Sequence, residues 1–421
     1  MKLTDIDLCD LDRFVVGVPH DAFALLRAEA PIFRHQSPRG PAFWALTKYQ
    51  DLIAVSKDPA TFSSAFGTNT FDLPPEDLVH VQRFMLNMDP PGHSKYRRLV
   101  NQGFTTRMVA RLEPHVRELA RSIIDAVAPA GRCDFVTQVA AELPLQVIAE
   151  FLGIPQEDRH KVFDWSNRLI GFDDPEFQTS IVDGKFAAAE MYMYANELAL
   201  ERREHPRDDL VSVLMRGEVD GERLSEQEFD SFFLLLAVAG NETTRNLISG
   251  GMLALIEHPE QRQRLLDNPS LLPMAVEEML RWVSPVMHFR RTATRDTELR
   301  GQPIRRGDKV VIYYASANRD EDVFPNADRF DVGRTPNEHV AFGIGEHFCL
   351  GSNLARLEIR IMFEELLRRL PDIELDGPVA RLRSDFINGI KRMPVCFTPE
   401  HAVDCDGIAG QGPVRSGEGL R

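Results

Sequence analysis

The chain has 421 residues, 43% of them hydrophobic, and a formal net charge of −15. That is enough apolar matter for a sizeable core, and too acidic a balance for nucleic acid or an anionic membrane as main partner. The five cysteines (Cys9, Cys133, Cys349, Cys396, Cys405) are scattered with no Cys-x-x-Cys pair, which argues against a zinc site or disulfide framework and for reduced thiols.

The N-terminus is acidic and lacks an apolar signal core. The longest apolar run, residues 232–240, is far short of the roughly 20 residues a membrane helix needs. A cytoplasmic protein without a membrane anchor is expected. Residues 32–35 and 42–46 flank Ser37-Pro38-Arg39-Gly40 and read as a β-hairpin. His93 and Arg97 have the i, i+4 spacing that puts both side chains on one helical face. Helical periodicity runs from about residue 109 to 281, with breaks at 129–131, 153–155, 205–206 and 219–221.

A long helix is predicted over 225–257, opened by the capping-box pattern Ser225-Glu226-Gln227-Glu228. In its apolar middle stands Ala239-Gly240-Asn241-Glu242-Thr243-Thr244. The glycine costs about 1 kcal/mol relative to alanine there, and a threonine can bond a carbonyl one turn back and bend the helix. Glu278 and Arg281 follow as an i, i+3 pair, a spacing that recurs at Glu118/Arg121, Glu204/Arg207 and Glu365/Arg368 and is weak by itself. Strand character returns at 290–295 and 309–314, followed by a Pro- and Asp-rich meander over 318–336. Short strands at both ends and helices between them predict a mainly α fold with small β-sheets contributed by N- and C-terminal segments. One domain is expected over 1–403. Residues 404–421, rich in Gly and small or polar residues, read as a disordered tail.

The most specific feature is Phe342-Gly343-Ile344-Gly345-Glu346-His347-Phe348-Cys349-Leu350-Gly351. Its three glycines permit tight turns and close approach of a flat ligand to the backbone. Gly351 opens a helix whose N-terminal dipole favours a thiolate on Cys349. The decapeptide resembles the heme-binding loop of the cytochrome P-450 family. Ala-Gly-x-Glu-Thr-Thr resembles the oxygen-binding groove of that family's distal helix, and stands in the expected order before the cysteine loop.

The resemblance spans residues 14–397 and implies the P-450 fold and a soluble bacterial-type heme-thiolate monooxygenase. It implies heme b, with Cys349 as the iron ligand. Phe342, Gly343, Gly351, Ala239 and Gly240 would border the heme, and His93, Arg97, His347 and Arg291 would meet its propionates. Arg290 adjoins Arg291, so that last assignment could slip by one residue. Glu242 and Thr243 would form the proton-delivery pair. Glu278 and Arg281 would join Arg329 in a structural brace. The same resemblance implies O2 as co-substrate and electrons from NAD(P)H through ferredoxin and ferredoxin reductase. Arg97, Arg98, Arg107 and Arg356 are candidates for docking the ferredoxin, and a monomer is expected.

The substrate pocket is expected from segments 62–88, 165–193, positions 235 and 239, 286–289 and 386–390, which are rich in Phe, Met, Leu and Ile. Together with the ending 386–395, which resembles bacterial members acting on sterol side chains, branched lipids and terpenoids, this implies a bulky lipophilic substrate. The alternatives are a polyketide or macrolide tailoring hydroxylase and a non-catalytic heme sensor.

Overall fold

The computed structural model describes residues 1–400 apart from Arg39, 102–103, Thr179 and Asp220. The tail expected over 404–421 lies outside the described residues, as does Cys405. Helices dominate. Those that matter for the site are α1 (Gly92–Asn101), α2 (Thr106–Val127), α3 (Glu142–Leu152), α4 (Arg159–Ile170), α5 (Ile181–Glu204), α6 (Glu226–Glu257), α7 (Leu272–Val283) and α8 (Ser352–Arg369). Among the described residues, no helix is long and apolar enough to cross a membrane.

α6 is the axis of the molecule, and α3, α4, α5, α7 and α8 all pack against it. Its start is the predicted capping box: Glu228 N–H donates to Ser225 Oγ, and Ser225 N–H donates back to Glu228 Oε2 at 2.8 Å. It has no solvent-facing polar strip over its middle, where even Asn241, Glu242, Arg245 and Asn246 are buried. Phe232, Phe233, Ala237, Leu247, Ile248 and Met252 are all buried, as befits a helix enclosed on every side. Glycines let neighbours come close to it. A Cβ on Gly240 would meet Ile148 Cδ1 of α3 at 2.7 Å, and one on Gly251 would meet Phe363 of α8 at 3.1 Å.

The expected hairpin is present as β1 (Ile32–His35) and β2 (Phe43–Leu46). With β3 (Phe62–Ser63), β4 (His288–Ala293) and β5 (Lys309–Tyr313) it forms a five-stranded sheet of order β1-β2-β5-β4-β3. β5 pairs parallel to β2 and antiparallel to β4, so segments as far apart in the chain as Phe43 and Lys309 close one sheet. The strand expected over 290–295 starts two residues earlier. Glu374–Leu375, Pro394–Cys396 and Arg132–Asp134 form a second, three-stranded sheet, which turns the predicted break after residue 131 into an edge strand.

One expectation is corrected here. Glu278 and Arg281 are fully buried and paired at 2.7 Å, but the third member of the brace is Arg334, not Arg329. The Arg334 guanidinium donates to both Glu278 carboxylate oxygens (3.2 and 3.1 Å) and to the carbonyls of Pro325, Asn326 and Arg329. Arg329 contributes only that carbonyl, which Arg281 shares. Both residues lie in the predicted meander, and only its turns decide which side chain points inward.

Candidate functional site

A cavity of about 260 Å3 lies between α6 and the cysteine loop. The cavity face of α6 carries Leu235, Leu236, Ala239, Gly240, Thr243, Thr244 and Leu247, one stripe of consistent helical spacing. The opposite wall is the loop itself, with Phe342, Gly343, His347, Cys349 and Gly351. His93 and Arg97 reach in from α1, one turn apart on the same face.

The loop holds its shape through its own backbone. Gly343 and Gly345 have φ of +68° and +77°, and a Cβ on Gly345 would meet the Ser56 carbonyl oxygen at 2.5 Å. Gly351 is different. It caps α8 at φ −84°, and its Cβ position is open, so close approach rather than a left-handed turn is what glycine allows there. Cys349 N–H donates to the Phe342 carbonyl at 2.8 Å, which aims the sulfur into the cavity. Burial pushes the Cys349 thiol up, while the Gly351 N–H, Arg97 and Arg356 pull it down. Desolvation therefore outweighs the helix terminus, which the sequence suggested would favour a thiolate.

Two arginines at or beside the cavity edge lack a paired carboxylate. Among the described residues neither Arg97 nor Arg291 pairs with a carboxylate. Arg97 donates to Asn101 at 3.4 Å and Arg291 to the Arg290 carbonyl at 2.9 Å. The His93 and His347 rings lie 4.4 Å apart, and His93 Nδ1 is buried without a hydrogen-bond partner, with Glu346 Oε2 3.9 Å away. His347 meets Ser64 Oγ at 3.2 Å. Burial, then the charge of Arg291, pushes His347 down to about 2. A buried arginine without a counter-ion, as Arg291 is, is costly, and with Arg97 and two histidine rings beside it the cluster fits a cofactor that brings two carboxylates.

Arg291 is buried beside this cluster without lining the cavity. Its neighbour Arg290 points to the other face of β4 and is engaged with Asp72 at 2.8 Å and the Phe71 carbonyl. The alternation of a strand thus separates the two arginines. Of the two, Arg291 is the one without an anion.

The acid–alcohol pair splits. Thr243 lines the cavity and its Oγ1 donates to the Ala239 carbonyl at 2.9 Å. Glu242 faces away into the protein, bound to Arg245, which in turn donates to Asn167 of α4 at 2.9 Å. Burial pushes Glu242 up against the pull of Arg245, and its Oε1 has no partner. The adjacency of residues 242 and 243 in the chain becomes opposition in the helix.

Other cavity residues carry little signal in the sequence: Phe104, Ile148, Leu280, Tyr314 and Glu358 come from separate elements and meet only in the fold. Of the expected pocket segments, Met85, Leu86, Leu235, Ala239, Val286 and Phe289 do line the cavity, but no residue of 165–193 or 386–390 does. Phe386 and Ile387 are buried behind Val286 and Phe289 instead.

With this geometry in hand, the comparisons agree with one another. The cytochrome P450 family model matches residues 130–377. A steroid C26-monooxygenase of Rhodococcus jostii (strain RHA1) is 45% identical over 97% of this chain and 86% of its own. A methyl-branched lipid omega-hydroxylase of Mycobacterium tuberculosis (strain ATCC 25618 / H37Rv) is also 45% identical, over 94% of this chain and 96% of its own. A cytochrome P450 of Mycobacterium marinum solved in complex with pseudoionone superposes with a TM-score of 0.87 at 41% identity, covering 93% of this chain and 98% of that one. A thiol-bearing glycine loop under a cavity, with two unpaired arginines beside it and the Ala-Gly-x-Glu-Thr-Thr stretch of α6 facing it, thus has its explanation: the chain belongs to the cytochrome P450 family and is a cytochrome P450 monooxygenase.

Proposed function

We propose that this monooxygenase hydroxylates a bulky lipophilic substrate of the sterol, methyl-branched lipid or terpenoid type, taking electrons from NAD(P)H through a ferredoxin and its reductase. The observation that carries the reading is the cavity. Leu235, Leu236, Leu247, Val286, Phe289, Met85 and Phe104 make most of its wall apolar, and Thr243 and Thr244 are the polar groups that α6 adds to those of α1 and the cysteine loop. Such a wall binds by excluding water and offers a substrate few directed contacts. The relatives with steroid and branched-lipid names are 45% identical, above the 35–36% of the neighbours solved as a polyketide-synthase P450 and a himastatin post-tailoring hydroxylase, which favours the lipid reading over natural-product tailoring.

The residues present fit heme b, with Cys349 to ligate the iron and Arg97, His93, His347 and Arg291 to meet the propionates. When bound, heme supplies the activation of O2, to which a thiolate ligand contributes electron density. The chain supplies the rest. Gly240 lets α6 close on α3, Ala239 and Thr243 offer a carbonyl and a hydroxyl at the cavity surface, and the apolar wall orients the substrate and excludes water. Exposed Arg98 and Arg107 are candidates for docking an acidic ferredoxin. Arg356 is engaged with Glu277 at 2.7 Å and lies over the Phe342 ring, so it braces the loop instead.

The test is titration of the heme-loaded protein with a sterol, a methyl-branched fatty acid and a macrolide, reading the Soret band. The lipids should shift it from low to high spin and yield hydroxylated product with a reconstituted ferredoxin system. A shift and product with the macrolide alone would overturn the substrate class.

A further inference from the structure

We propose that the ion pair of Glu277 and Arg356 sets the reduction potential of the heme from the thiolate side. Neither residue lines the cavity, so Arg356 is a positioning residue that acts through the Phe342 ring. The proposal rests on the heme-thiolate assignment.

Arg356 stands in the second turn of α8, whose first residue follows the cysteine loop. Its guanidinium lies 4.5 Å from the centre of the Phe342 ring, within the range of a cation–π contact. Phe342 itself lines the cavity, and its carbonyl accepts the Cys349 N–H at 2.8 Å. The guanidinium also forks onto Glu277 of α7, with Nε donating to Oε1 at 2.7 Å and Nη2 to Oε2 at 2.9 Å. His339 holds the same carboxylate. Its Nδ1 accepts the Ala341 N–H at 3.2 Å, which leaves the proton of the neutral ring on Nε2, 3.0 Å from Glu277 Oε2. Burial pushes Glu277 up, but the hydrogen bonds of His339 and Arg356 and the charge of Arg356 outweigh it and bring the carboxyl down to about 2. The pair is therefore fully ionised at neutral pH, with its positive end on the loop.

The other arginines of α8 are placed differently. Arg360 pairs with Glu113 and Glu364, Arg368 with Glu365, and Arg369 with Asp125 and Glu400. Among the described residues no cation but Arg356 lies over a ring of the cysteine loop. Arg356 is also one of two arginines whose charge pulls the Cys349 thiol down against burial; the other, Arg97, is the propionate partner in the heme reading. A cation beside the thiolate stabilises negative charge there, so it favours the heme that has gained an electron and raises the potential. The carboxylate opposes this, and Coulomb energy falls with distance, so the arginine on the ring prevails. The step that the pair biases is the uptake of one electron from the reduced ferredoxin, which takes iron from ferric to ferrous; no bond is made or broken in the protein.

The test is spectroelectrochemical titration of the heme-loaded, substrate-free enzyme and of Arg356→Gln, Glu277→Gln and Arg356→Lys. Arg356→Gln leaves the carboxylate alone near the loop and should shift the midpoint potential down. Glu277→Gln leaves the arginine alone and should shift it up. Both variants break the same two hydrogen bonds, so a purely structural brace predicts shifts in one direction. Arg356→Lys keeps the charge without the planar fork, and its potential should lie between those of Arg356→Gln and the unmutated protein. Shifts of the same sign in the two Gln variants, no shift in either, or a lysine variant no higher than Arg356→Gln overturns the proposal. If Arg356→Gln fails to hold heme, Glu277→Gln decides alone: a rise supports the proposal, and a fall or no change overturns it. Absence of the thiolate spectrum from the unmutated protein would instead count against the heme-thiolate reading itself.

Discussion

Thr243 is the residue on which the distal chemistry of this chain can be read most directly. Its hydroxyl proton is committed to the Ala239 carbonyl, so toward the cavity it offers lone pairs and, on rotating, a proton. Nothing in the packing of α6 calls for an alcohol there, since the same stripe is otherwise mostly apolar. Thr243→Ala should therefore fold and bind heme and substrate normally, yet release hydrogen peroxide in place of product. We expect product per NADH to fall by about tenfold or more, because directed proton delivery of this kind is worth about 10²–10⁴-fold. Unchanged coupling would transfer that role to substrate or water. At this scale the sequence is a good guide to identity and a poor one to direction. Cys349, His93, Arg97 and Thr243, singled out by their resemblance to the family's motifs, do reach the cavity, but Glu242 turns away because one residue of helix is a 100° rotation.

At the scale of elements, the brace between α7 and the meander connects fold to site. Glu278 is wholly buried, and its carboxylate takes Arg281 on one side and Arg334 on the other. Removing one partner of a buried pair leaves charge uncompensated and typically costs about 3–5 kcal/mol. Arg334→Ala should lower the unfolding temperature sharply and reduce heme retention, whereas Arg329→Ala, which deletes no bond to Glu278, should leave both nearly unchanged. Equal losses in the two variants would refute the correction made above. The meander has no periodicity from which to choose between the two arginines, and this explains why the motif predicted a brace but named the wrong third member.

The contact between α5 and α6 supplies a pH-dependent counterpart. Asp230 is 9% exposed and receives only the amide of Asn196, at 3.1 Å; burial raises it to about 6 against that hydrogen bond. A carboxyl raised in the folded state holds its proton more tightly there than in the unfolded chain. It therefore subtracts stability as pH climbs from about 4 through about 6, and the whole penalty stands at neutral pH. Asp230→Asn should stabilise the protein at pH 7.5 by on the order of 1 kcal/mol and have little effect near pH 4. Thermal unfolding at the two pH values checks this, and equal effects at both would show that the carboxyl is not shifted.

For the whole molecule, the predicted class was right because its evidence is distributed. Long apolar periodicity, two motifs in fixed order and a few strong β segments all point to one mainly helical architecture. What stayed hidden depends on pairing across hundreds of residues. Lys309 meets Phe43 in the sheet, Met85 and Ile359 share one cavity, and segments 165–193 and 386–390 stand back from it although their composition suggested otherwise. Local pattern specifies which face of an element is apolar, and only the assembled fold specifies which apolar faces remain available to a ligand.

The central claim is that Cys349 is a thiolate ligand, and the reduced, carbon-monoxide-bound spectrum reads it directly. The unmutated protein should show the red-shifted Soret band characteristic of thiolate ligation. Cys349→Ser should abolish that band, while Cys9→Ser, Cys133→Ser and Cys396→Ser should keep it. Survival of the band in Cys349→Ser, or its loss in any of the other three with heme still bound, would contradict the account.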